Sequence, residues 1–146
     1  MKNGKDYITE MCNCDCGPKP FVTDVRTAAR KNCNYRTALW TGEHLQMTLM
    51  SIGAGCDVGL EVHHDTDQCL YIECGRGEAM MGECKNCLNV RCPVCENSCV
   101  FVPAGTWHNV VNTGNCPLKL ATVYAPPHHP HGTVHTTQCQ AMREDD

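Results

Sequence analysis

The chain has 146 residues, a formal charge of −4 and a pI near 6.0. That length is one domain's worth and can bury a core without help from disulfides, and the mild acidity offers no basic field to nucleic acid or an anionic membrane. Fourteen cysteines are the oddity: such density usually marks a secreted disulfide scaffold, yet the N-terminus MKNGKDYITE is polar and has no apolar leader, so a cytoplasmic protein with mostly reduced thiols is expected.

Residues 1–36 read as an N-terminal arm. Its cluster CNCDCGPKP, at 12–20, holds a glycine and two prolines that forbid a long regular element, and its C-x-C spacing suits a soft metal or a disulfide to Cys33 or Cys139. DVRTAARKNCNYRTALWTG mixes charge with alanine and predicts a short helix. From residue 37 to 138 the chain turns β-rich. HLQMTLMSI, GLEVH, QCLYIECG, EAMMGE, CVFVPAG, WHNVVN and PLKLATVYAP are short, mostly apolar runs separated by glycine, proline, asparagine or aspartate, the cadence of an all-β sandwich or barrel. No run approaches a membrane span. APPHHPHGTVH follows the last strand with four histidines and reads as a solvated proline-rich loop, an adventitious metal site being the alternative. Residues 139–146 read as a frayed tail.

One stretch, GLEVHHDTDQCLYIECGRG at 59–77, concentrates polar chemistry. Side chains two apart on a strand share a face, so Glu61 and His63 project together while His64 points away. Asp65, Thr66 and Asp67 make a turn, and Gln68 opens a second alternating strand that returns beside Glu61 and His63. A second stretch, VFVPAGTWHNVVNTG, places His108 just after a proline–glycine turn, with Val110 and Asn112 on its face.

Together these stretches resemble the cupin superfamily. Pro103, Gly105, His108 and Asn112 match its second motif, P-x-G-x-x-H-x-x-x-N. Its first motif is altered: Glu61, His63, Gln68 and Gly75 stand where histidine, histidine, glutamate and glycine are usual. The resemblance implies a double-stranded β-helix barrel (jelly roll) over roughly residues 37–127. It also implies one divalent transition metal (Fe, Mn, Zn or Ni) held by Glu61, His63, Gln68 and His108. Glu61, His63 and His108 carry the two imidazoles and one carboxylate of a facial triad, with the Gln68 carbonyl as a weak fourth donor; a polar pocket without metal is the alternative. Tyr124, on the face of Leu118, Leu120 and Thr122, is the candidate substrate contact at the pocket mouth.

Between the two motifs lies CKNCLNVRCPVC. Cys84, Cys87, Cys92 and Cys95 form two C-x-x-C pairs four residues apart, the spacing of a thiolate zinc or iron knuckle, so residues 84–99 are expected to be a metal-stapled excursion from the barrel. Scattered free cysteines are the alternative. The function this implies is a metal-dependent enzyme, of isomerase or non-haem iron dioxygenase type, acting on a small organic or sugar-like molecule. A non-catalytic ligand-binding or sensory cupin and a cysteine-centred metal-handling or redox protein are the other readings. A homodimer is expected, because sheet edges need cover.

Overall fold

The computed structural model describes residues 14–144; Cys12 and Asn13 of the CNCDC cluster and the last two residues fall outside them. The chain runs through helix α1 (Val25–Lys31) and then strands β1 (Arg36–Thr41), β2 (Gln46–Ile52), β3 (Asp67–Cys74), β4 (Arg76–Gly82), β5 (Val90–Cys95), β6 (Cys99–Val102), β7 (Trp107–Asn112), β8 (Leu118–Ala125) and β9 (Val134–His135). Helix α2 (Gln138–Glu144) closes it. The expected all-β cupin barrel forms. One sheet is ordered β6-β3-β8-β2-β1-β9 and the other β5-β4-β7. No helix of the described residues is long and apolar enough to cross a membrane.

The two sheets enclose Met50, Ile52, Leu70, Ile72, Val100, Val110, Leu118 and Leu120. The larger sheet is covered on its other face as well: Ala28 and Ala29 of α1 pack on Leu39, Leu49 and Ala121. With both faces covered, β2 and β8 bury side chains at consecutive positions rather than at every second one. α1 starts where Asp24 accepts from the Thr27 amide and carries Arg30 and Lys31 in its last turn, where cations suit the helix dipole.

Three sequence expectations are corrected. Residues 84–99 are not an excursion from the barrel: β5 pairs with β4 from Arg76↔Cys95 to Met81↔Val90 and forms the outer strand of the smaller sheet. Its signature is hidden because Val94 is its one buried residue and Pro93, tolerated on an edge, breaks the β pattern. Residues 138–144 do not fray. Ala141 is buried, and Glu144 Oε2 lies 2.8 Å from His135 Nε2. The arm does not run to residue 36 either, because β1 begins there and pairs with both β2 and β9.

Candidate metal centre

Segment 56–63, the GLEVH region, lies against β7 and extends the smaller sheet. Val58 donates to the Val110 carbonyl, and Glu61 and His108 exchange both backbone hydrogen bonds, at 3.0 and 2.9 Å. Directly opposed residues of an antiparallel pair share a face, so this pairing sets the Glu61 carboxylate beside the His108 imidazole. His63 follows two residues along the same face. Its carbonyl accepts from the Gly105 amide at 2.8 Å, which ties the Pro103–Gly105 turn to the site. Gly105 has φ +82°, a left-handed conformation that glycine adopts without strain. On the far side of β7, Asn109 accepts from Gly59 and donates to Asp57, holding the segment in place.

The outcome is a cluster in which one ligand atom each of Glu61, His63 and His108 lies within 4.8 Å of the others, the one such group of histidine, cysteine and carboxylate side chains among the described residues. His63 and His108 are buried. His108 Nδ1 faces the Thr106 carbonyl at 3.0 Å, which places its proton there and leaves Nε2 as a lone-pair donor. That Nε2, and both ring nitrogens of His63, are buried without a hydrogen-bond partner. His63 Nε2 is 3.1 Å from Glu61 Oε2 yet out of hydrogen-bonding alignment with it. Burial alone would raise the Glu61 carboxyl, but neighbouring His63 and the Arg36 guanidinium hold it below the ordinary carboxylate range. Burial pushes the His108 imidazole down, favouring its neutral form. A carboxylate oxygen and two imidazoles gathered in one place are suitable donors for a divalent transition metal.

Gln68 lies on β3, opposite Tyr124 of β8 and Val102 of β6, and faces inward. Its Oε1 is likewise buried without a partner. Tyr124 is 1% exposed, so it stands behind the site rather than at a mouth; its ring meets His63 edge-on at 5.7 Å. The mouth is a cavity of about 470 Å³ walled by Leu60, Val62 and Trp107, with Glu61, His63, His128 and His129 among its lining. His64 is exposed, as strand parity predicts.

The cysteines do not assemble as expected. Cys84 and Cys87 form a disulfide with a Cα–Cα distance of 4.9 Å. Cys92 and Cys95 are free, exposed thiols on β5, and residues three apart on a strand point to opposite faces. Cys16, Cys33 and Cys139 are also free, so neither Cys33 nor Cys139 staples the arm.

Two features escaped the sequence reading. Arg36 is fully buried, with Nη2 3.9 Å from Glu61 Oε1 and Nη1 3.0 Å from His135 Nδ1. A single arginine opening the run RTALWT carries no spacing signal. The loop after β8, read as solvated, folds back over the site, and the His128 ring lies 4.1 Å from that of His63. Its histidine content was visible, but its return was not.

Residues 48–124 match the family model for a cupin domain. The chain belongs to the cupin family. It is 56% identical over 132 residues to YrkC of Bacillus subtilis, an uncharacterized protein, covering 90% of this chain and 71% of that one. It is 38% identical over 122 residues to the uncharacterized protein L612 of Acanthamoeba polyphaga mimivirus, covering 83% and 74%. Among solved structures, BH2720 of Bacillus halodurans matches this cupin with a TM-score of 0.88 and 52% identity, covering 89% of this chain and 98% of that one.

Proposed function

We propose that this cupin binds one divalent transition metal through Glu61, His63 and His108, with Gln68 beside them, and uses it on a small organic or sugar-like molecule. The supporting observation is the set of orphaned donors: three imidazole nitrogens of His63 and His108 are buried without hydrogen bonds where the Glu61 carboxylate meets them. Each buried polar atom left unsatisfied costs about 1–3 kcal/mol, and an ion that takes one nitrogen from each ring together with the carboxylate offsets part of that cost.

Such an ion supplies Lewis-acid polarisation of a carbonyl or hydroxyl oxygen, or redox chemistry if it is iron(II), in line with an isomerase- or oxygenase-type activity. The protein's own part is positional. Thr106 fixes the His108 tautomer, Arg36 helps keep Glu61 ionised, and the Leu60, Val62 and Trp107 walls screen one side of the cavity from water. Among the described residues no lysine or arginine lines that cavity, which favours an uncharged or weakly charged substrate over a phosphate ester. A pair of subunits is expected: among the described residues β6 is a sheet edge, carrying Phe101 at 72% exposure, and light scattering should give twice the chain mass.

Metal analysis of protein purified without oxygen tests the centre. One equivalent in the parent and none in His108→Ala is the expected result; equal metal in both would leave a polar pocket as the better description.

A further inference from the structure

We propose that His128, on the strap that follows β8, is an additional imidazole ligand of this metal centre. The strap is built into place. Gln46, fully buried on β2, accepts from the His128 and His129 amides at 3.3 and 2.9 Å and donates to the His129 carbonyl at 2.9 Å. Farther along, Asp15 Oδ2 accepts from the Gly132 amide at 3.1 Å. A buried amide that spends three hydrogen bonds on two consecutive residues determines where their side chains emerge. His129 turns inward against Tyr124, while His128 emerges exposed at the cavity mouth, against His63.

The spacing of the rings suits ligation. Two imidazoles bound side by side to one ion, with metal–nitrogen bonds of about 2.1 Å, place their ring centroids roughly 4.5–5 Å apart. The observed separations from His63 bracket that value: 5.4 Å to His108 and 4.1 Å to His128. The His128 nitrogens stand outside the tight Glu61, His63 and His108 group, so ligation requires rotation about the His128 side-chain bonds. The side chain is exposed at the mouth, and the rotation exchanges its present contacts with Tyr124 and His129 for the ion. The ligand set then gains a third neutral imidazole, and a site of three protein donors becomes one of four with open positions still facing the cavity.

The inference rests on reading Glu61, His63 and His108 as ligands, and the test separates the two claims. Chelator-treated full-length parent, His108→Ala, His128→Ala and His64→Ala proteins are titrated with Mn(II), a poor partner for thiolates. The paramagnetic resonance of free Mn(II) gives the affinity, and nitrogen modulation of the bound signal reports the coordinated imidazoles. Expected are one tight site in the parent and in His64→Ala, none in His108→Ala, and in His128→Ala one site at least tenfold weaker with a smaller nitrogen modulation. Parent affinity and modulation in His128→Ala, with binding lost in His108→Ala, would overturn the role of His128 while leaving the three-ligand centre standing. Absence of a site in the parent would overturn both. Circular dichroism confirms that each variant is folded.

Discussion

Replacing Gln46 with methionine tests whether the strap is held by that one amide. Methionine nearly conserves the volume, so the change removes hydrogen bonds without opening a sizeable cavity. Thr41 Oγ1, which Gln46 also reaches, keeps its bond to Asp15. The groups left stranded are the amide and carbonyl of buried His129 and the half-buried amide of His128. At roughly 1–1.5 kcal/mol for each of the first two and about 0.5 for the third, the loss is about 2.5–3.5 kcal/mol. A chain of this size loses about 3 °C of melting temperature per kcal/mol, so Gln46→Met should melt about 8–11 °C below the parent in a calorimetric scan. A fall of less than about 2 °C, with native circular dichroism, would show that the strap finds other partners and that its position is not set by Gln46.

Gln68→Glu should tighten Mn(II) binding by about tenfold or more, since a neutral carbonyl becomes a second carboxylate near the ion; affinity no better than the parent's would remove Gln68 from the site's surroundings. Asp15 bears on stability at low pH: burial would raise its pKa, but hydrogen bonds from Thr41, Gly132 and Gly17 and the nearby His131 lower it below the usual value. A depressed carboxyl stabilises the fold above its unfolded pKa and loses that contribution as pH falls through the folded one. Asp15→Asn should therefore unfold at lower urea than the parent at pH 7, and the gap should close toward pH 2; a gap independent of pH would contradict this. Cys84→Ser with Cys87→Ser removes a disulfide that closes a very short loop, so the cost should stay at or below about 2 kcal/mol. Barrel metal content should be unchanged, and loss of one equivalent would bring back a thiolate site.

Local chemistry made much of this protein legible. Short, mostly apolar, β-rich runs separated by turn residues marked β2, β3, β4, β6, β7 and β8, because strand residues packed against a core are apolar and the turns between them need glycine, proline, asparagine or aspartate. The same parity placed Glu61 with His63 and turned His64 outward, and the turn before His108 lies in a short contiguous motif. The outer strand β5 was not legible: an edge with one buried residue leaves almost no hydrophobic pattern, and paired cysteines imitated a metal knuckle. Helix α2 was hidden too, since it is anchored mainly by Ala141 and by polar contacts such as Glu144 with His135 and Gln138 with Asp57.

The apolar runs, the turns and the side chains that share a face depend on neighbours a few residues away, and so could be read from the chain alone. The tertiary structure decided what meets across the barrel. Arg36 reaches Glu61 across 25 positions, and Gln46 holds a strap more than 80 residues later; contacts at such separations follow from strand order and closure, and no local period encodes them. The His128 ring comes to rest on His63 for the same reason: the strap's return is set by Gln46, buried in β2, and by Asp15, near the other end of the chain.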